Sequence, residues 1–226
     1  MRPSPALLLA LMGALSLPPL IGAALTASPL RSTAAERPAP SATIPGHLGG
    51  TQTAVLAGGC FWGVEAVFEH VRGVTGVVSG YAGGTAETAA YRQVSAGDTD
   101  HAEAVQITYD PRVVSFDQLL KIYFTVAHDP TELNRQGPDV GRQYRSAIFF
   151  VDRSQQSAAL ASIAQHDNAR SFDHPIVTEV VPLQKFYPAE AHHQDFVAYH
   201  PDHPYVVVND LPKLAQLRIR FPELVR

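Results

Sequence analysis

The 226-residue chain has a single cysteine, a single tryptophan and only two methionines. One cysteine excludes an internal disulfide, and it leaves no second thiolate for a cysteine-based zinc site. Positive charge is also in short supply, with 17 Lys and Arg against 21 Asp and Glu and a formal net charge of −4. No basic stripe is present, so nucleic acid is not expected as a partner. Uninterrupted apolar runs are missing too. The longest stretch, near the N-terminus, is broken by Pro18 and Pro19 before it reaches the ~20 residues that span a bilayer. His192, His193, His200 and His203 crowd the C-terminal part of the chain, but their spacing fits no metal-ligand pattern. They are expected to be exposed or capping, with one near the pocket, and no metal is expected.

What is present falls into three parts. Arg2, the apolar run Ala6 to Leu17 and the small residues up to Ala27 have the layout of a secretory signal peptide over residues 1–27. Cleavage after Ala24 or Ala27 fits that layout. Residues 28–50, rich in Pro, Ala, Ser and Thr, are expected to form a flexible linker. Residues 51–226 have the length of one domain. The chain is therefore expected to be exported to a periplasmic or other extracytoplasmic compartment, free of the membrane once the leader is removed.

Within the domain, the lone cysteine and lone tryptophan stand side by side in Gly58-Gly59-Cys60-Phe61-Trp62-Gly63-Val64-Glu65. Thr53 to Ala57 is apolar and partly β-branched, as in a strand; Phe61, Val64, Phe68 and Val71 follow at helical spacing. Cys60 is thus placed at a strand-to-helix corner, where unpaired N–H groups and the helix dipole favour a thiolate. Two glycines ahead of it allow a tight turn and close approach to the sulfur. Trp62 lies off the apolar face. A lone cysteine is more commonly an inert buried hydrophobe, but this setting is that of a reactive thiol beside an aromatic wall.

A second informative stretch is His101-Ala102-Glu103-Ala104-Val105, leading through Ile107 and Tyr109. Alternation predicts a strand whose odd-numbered face is buried, with Glu103 pointing inward among apolar residues. Desolvation favours the protonated carboxyl, which suits a general acid near neutral pH. An inward glutamate bound to backbone N–H groups explains the same pattern without catalysis.

The rest of the domain is read more coarsely. Val74 to Gly84 is a strand entering a glycine-rich loop, flanked by Tyr81 and Tyr91. Ser115 to Gln118 resembles a capping box that opens a helix running to about His128, stopped by Asp129-Pro130. A loop containing Asp139 precedes a strand from Gln143 to Val151 that includes Tyr144. A helix is expected over 152–169 with Leu160 and Ile163 inward, then a strand over 175–183, then a further helix opened by Phe186 to Gln194. Taken alone, Asp139 is a turn former and the tyrosines are packing residues.

These blocks together resemble the A-type peptide methionine sulfoxide reductases. The Cys60 block, the His101–Val105 block, the stretches Asn134-x-Gln136-Gly137-x-Asp139 and Gly141-x-Gln143-Tyr144-Arg145-Ser146, and the Phe186–Gln194 block carry the resemblance. It implies an α+β fold: a two-layer sandwich with a ferredoxin-like mixed sheet and flanking helices. It implies reduction of the S epimer of free or peptide-bound methionine sulfoxide, in the repair of oxidised proteins. Cys60 is then the nucleophile and Glu103 the acid, while Tyr91 and Tyr144 reach the substrate oxygen. Phe61 and Trp62 form the methyl slot, Asp139 lines the site, and Tyr81 is structural. Turnover leaves a sulfenic acid at Cys60. Val206 and Ser95 stand where relatives carry further cysteines, so an outside thiol of the thioredoxin, glutaredoxin or glutathione type is expected, with no bound cofactor and a monomeric protein. One departure is Asp100, where the family usually has glycine; its carboxylate either raises the proton affinity of Glu103 or stands in solvent. The alternatives are a one-cysteine thiol peroxidase, which needs an arginine or histidine absent from the Cys60 block, and an exported module that binds methionine peptides without turnover.

Overall fold

The structure, a computed structural model, describes residues 50–226. The leader and most of the linker read from the sequence lie outside the described residues. In chain order the regular elements are β1 Gln52–Ala57, α1 Phe61–Glu69, β2 Val74–Ala82, α2 Tyr91–Ser95, β3 Ala102–Tyr109, α3 Phe116–Ile122, and the small hairpin β4 Arg135–Gln136 and β5 Asp139–Val140. Then follow β6 Ala147–Phe150, α4 Arg153–Ala169, β7 Glu179–Pro182, β8 Phe186–Pro188, α5 Phe196–Tyr199 and α6 Leu211–Arg220. Six strands form one mixed sheet in the order β7-β6-β1-β3-β2-β8, antiparallel throughout except for the parallel pair β6 and β7. The architecture is mixed α and β, with helices packed on a six-stranded sheet.

Strand alternation divides the apolar residues between the two faces. Ala54 and Leu56 of β1, and Val105, Ile107 and Tyr109 of β3, join the main core with α1, α3 and the C-terminal helix. Their neighbours Val55, Ala57, Ala102 and Ala104 face the other way, in a smaller cluster around Phe149 and Phe186. Both faces of β3 are therefore covered at its start. Glu103 shares the parity of the main core, as the sequence pattern requires.

Several boundaries depart from the sequence reading. Ser115 and Gln118 do form the capping box: Gln118 N–H donates to Ser115 Oγ at 3.2 Å, and Ser115 N–H donates to Gln118 Oε1 at 2.9 Å. Beyond Ile122 the helix widens into a π-helical turn, Tyr123–Ala127, before extended backbone at His128 ends it. The strand expected from Gln143 starts only at Ala147, because Arg142–Tyr144 is a 3₁₀ turn. After that turn the buried Arg145 guanidinium donates to Glu179 and to the carbonyls of Arg142 and Asp100, which fixes the chain outside the sheet ladder. Leu160 of α4 is 51% exposed, whereas Gln155 and Ala159 turn inward and Ile163 packs half-buried. The helix expected from Phe186 is instead the edge strand β8, paired with Gly80 to Ala82, followed by a 3₁₀ turn at Ala191–His193. Pro188, which has no N–H to donate, is tolerated at that edge.

Candidate active site

The turn between β1 and α1 sets the position of the sulfur. Gly59 has φ +87°, a left-handed conformation that disfavours side chains, and a Cβ on Gly58 would stand 2.8 Å from the His128 ring. Behind that turn, His128 Nδ1–H donates to Tyr123 O at 3.0 Å, and its Nε2 accepts from Ser146 Oγ at 2.7 Å. Burial holds this imidazole neutral, with its pKa lowered to about 4. Tyr123 donates to Ala57 O at 2.7 Å, which ties the same network to the end of β1. Cys60 then occupies the N-cap of α1, buried but not sealed at 8% exposure.

Glu103 reaches the same corner from β3. It is 2% exposed, and its Oε2 accepts from the Phe61 N–H at 3.1 Å, an otherwise free donor of the first helical turn. Desolvation pushes its pKa up to about 8; the Phe61 bond pulls the other way and the Asp139 carboxylate adds to the rise. Glu103 is thus a carboxylic acid at neutral pH. Asp100 plays no part in this: its side chain is exposed, and its backbone carbonyl is what Arg145 binds.

The thiol differs from the sequence expectation. The Trp62 N–H and Lys213 do favour the anion, but burial outweighs them, and Glu103 and Asp210 add to the rise. The Cys60 pKa therefore lies well above that of an ordinary thiol. One helix start of nine residues supplies too little positive potential to offset removal of the sulfur from water.

Around this pair stand the remaining residues singled out from the sequence. Tyr91 and Tyr144 are half-buried, and both hydroxyls are held protonated, first by desolvation and then by nearby acidic groups that include Glu103, Cys60 and Asp139. Asp139 accepts from the Tyr205 hydroxyl, joining the β4–β5 hairpin to the C-terminal segment. The Phe61 ring is buried against Tyr81 and His193, with centroids at 5.9 and 5.2 Å. Trp62 is half-buried and lies flat on Phe196 at 3.6 Å and 7°, and its indole N–H donates to His193 Nδ1 at 3.2 Å. Tyr205 meets the same indole edge-on at 5.9 Å. Every candidate site residue thus falls in one place.

Several residues of the site escaped the sequence reading. Glu190 accepts from the Tyr81 hydroxyl at 2.8 Å and the Tyr91 N–H at 2.9 Å, so it sets the position of Tyr91. His193, Phe196, Tyr205, Asp210 and Lys213 also come from the C-terminal part of the chain. Of these only His193 had a signal, as one of four histidines among which one, not singled out, was expected near the pocket; His192, His200 and His203 are exposed. A groove of about 810 Å³ between α3 and α4, lined by Lys121, Ser157 and Gln165 among others, contains neither Cys60 nor Glu103.

The arrangement combines a single thiol, a buried acid that retains its proton, phenolic donors and an aromatic wall. It is equipped to attack a polarised centre and protonate a departing oxygen. Comparison with known proteins points the same way. The family described as peptide methionine sulfoxide reductase matches residues 52–223. The chain is 56% identical over 177 residues to peptide methionine sulfoxide reductase MsrA 2 of Synechocystis, covering 78% of this chain and 83% of that protein. Its counterpart from Mesorhizobium japonicum is 54% identical over 175 residues, 77% of this chain and 90% of that one. Among solved structures, methionine sulfoxide reductase A of Corynebacterium diphtheriae is similar with a TM-score of 0.63 and 36% identity, over 69% of this chain and 77% of that chain. Reduced Mxr1 of Saccharomyces cerevisiae gives a TM-score of 0.64 at 31% identity, over 68% and 88%.

Proposed function

Since the chain belongs to the peptide methionine sulfoxide reductase family, and is an oxidoreductase that reduces methionine sulfoxide in the repair of oxidised proteins, we propose that Cys60 performs that reduction as nucleophile with Glu103 as its acid. The observation that carries this assignment is the buried Glu103 carboxyl, which keeps its proton near neutral pH while anchored to the Phe61 N–H beside Cys60. In the proposed step the sulfur of Cys60 attacks the sulfoxide sulfur while Glu103 gives its proton to the oxygen. An S–S bond forms as the S=O bond breaks and the oxygen departs as water. A water oxygen then attacks the Cys60 sulfur, the S–S bond breaks, methionine leaves with two electrons gained, and Cys60 is left as a sulfenic acid. The thiol proton and the one from Glu103 leave with the departing water, and a proton from the attacking water restores Glu103, so the protons balance without an outside donor.

Tyr91 and Tyr144 donate hydrogen bonds to the oxygen as it gains negative charge. Trp62, braced by Phe196, and Phe61 enclose the methyl group and select the S epimer, and Asp139, bound to Tyr205, closes the remaining side. With one cysteine in the chain, the sulfenic acid is cleared by outside thiols: one forms a mixed disulfide with loss of water, and a second releases Cys60. A thioredoxin, a glutaredoxin or glutathione fits that role. The signal-peptide layout of residues 1–27 supports an exported repair enzyme, which acts as a monomer in this proposal. The strand order β6-β1-β3-β2, crossed by α1 and α3, supports a two-layer, ferredoxin-like plan.

Single-turnover reduction of each epimer of a blocked methionine sulfoxide, without added reductant, tests the assignment. About one methionine per protein from the S epimer alone, with a trappable sulfenic acid on Cys60, is expected. No methionine from freshly reduced protein would remove Cys60 from the reaction.

A further inference from the structure

A charged pair borders the turn of α1 that Cys60 opens. Asp210 ends a π-helical turn, Val206–Asp210, and stands at the N-cap position of α6 without a side-chain capping bond. Its residue is fully buried, with Oδ1 3.4 Å from Lys213 Nζ, while Oδ2 has no hydrogen-bond partner. The Lys213 side chain keeps 17% exposure. Gly63, in the first turn of α1, is what admits the pair: a Cβ there would overlap Asp210 Oδ1 and stand 2.7 Å from Lys213 Nζ.

A buried ion pair is a poor device for stability, since apolar residues of similar volume do as well. A buried carboxylate oxygen left without a partner calls for a reason of its own. Both charges act on the sulfur: the Asp210 carboxylate opposes the thiolate and the Lys213 ammonium favours it. The other groups facing Cys60 are Glu103 from β3 and the phenols of Tyr91, Tyr144 and Tyr205, with Asp139 acting on Asp210 from the hairpin. Lys213 is the cation in this set.

We propose that Asp210 and Lys213 are positioning residues that set the charge on the Cys60 sulfur in opposite senses, the ammonium holding the thiolate and the carboxylate holding the ammonium in place while resisting ionisation. This rests on Cys60 being the nucleophile. Removing either member alone unbalances the sulfur, and removing both restores the balance. Burial lifts the Asp210 pKa to about 6, so near neutral pH the carboxylate is largely charged and the opposition is in force.

The pH dependence of Cys60 alkylation by iodoacetamide, measured on the full chain, reads this directly. Lys213→Met should move the alkylation midpoint up by about 1 pH unit, and Asp210→Asn should move it down by a similar amount. Lys213→Arg should restore the wild-type midpoint, and the double variant, which leaves no bare buried charge, should fall between the singles. A packing role alone would shift both singles the same way or neither. If Lys213→Met fails to fold, Asp210→Asn and the double variant still give the sign. Midpoints that stay put, or move together, overturn the proposal. Wild-type single turnover is run alongside. Failure there removes Cys60 as nucleophile, whereas unmoved midpoints in an active enzyme remove only the charged pair.

Discussion

Replacing Glu103 by glutamine separates the cost of its burial from its chemistry. In the folded protein Glu103 holds its proton up to about pH 8, against an ordinary value of 4.5. Desolvation is the main cause, and the group is almost fully buried, so solvent screening is weak. Because the folded state binds the extra proton, this carboxyl costs nothing at low pH and destabilises the fold progressively as pH rises from 4.5 to about 8. Each pH unit in that window is worth about 1.4 kcal/mol, so the full penalty is about 3–5 kcal/mol after some relaxation around the charge. Glutamine stays neutral throughout and can still accept from the Phe61 N–H. Urea denaturation of wild type and Glu103→Gln should give equal stabilities near about pH 4, and the variant should be the more stable by several kcal/mol near about pH 9. Glu65, Glu69 and Asp210, also raised by burial, titrate in both proteins and cancel in the difference. The same variant should lose about 10²–10⁴-fold in single-turnover rate as its acid is gone. A stability difference that does not change with pH would refute the buried-acid description of Glu103.

Other perturbations probe the surrounding shell. Trp62→Ala removes the stacked contact with Phe196 and the donor to His193, and should raise KM for the sulfoxide about tenfold while Cys60 alkylation stays unchanged. Tyr91→Phe combined with Tyr144→Phe should lower the single-turnover rate about 10²-fold or more, with folding intact by thermal melt, since both hydroxyls lie beside the pair. Gly63→Ala is expected to destabilise by about 1–3 kcal/mol in urea, because the overlap with Asp210 outweighs the ~1 kcal/mol that alanine gains over glycine in a helix.

Local pattern made much of this molecule legible. The corner at Cys60, the inward parity of Glu103 and the Ser115–Gln118 cap each depend on residues within one turn or one strand, and all stand in the structure. The segment from Phe186 was misread because its strand character comes from pairing with β2, a neighbour more than a hundred residues away in sequence. Arg145 likewise interrupts the expected strand through partners on β7 and before β3. The thiol was misjudged for an energetic reason: position at a helix start is readable from sequence, but the extent of burial is not. Asp210 gave no local sign, and Glu190 stood in the Phe186–Gln194 block without a role of its own, since their meaning lies in what α1 and α2 bring to them.

Gln194 shows how far the end of the chain enters the site. Its side-chain amide donates to Ser79 O and its carbonyl accepts from Ser79 N–H, each at 2.9 Å, so it serves β2 as a strand neighbour would. Close by in sequence are Glu190, His193 and Phe196, and further on Tyr205, Asp210 and Lys213. A ribosome that has delivered only the first three quarters of the protein has already released the nucleophile, its acid and Trp62, but neither Phe196, on which Trp62 stacks, nor the balancing charges. The contacts that brace Trp62 and set Tyr91, and the charges beside Gly63, are thus contributed by the last fifth of the sequence, so the site is complete only once the chain's end has been made and has folded back onto β2 and α1.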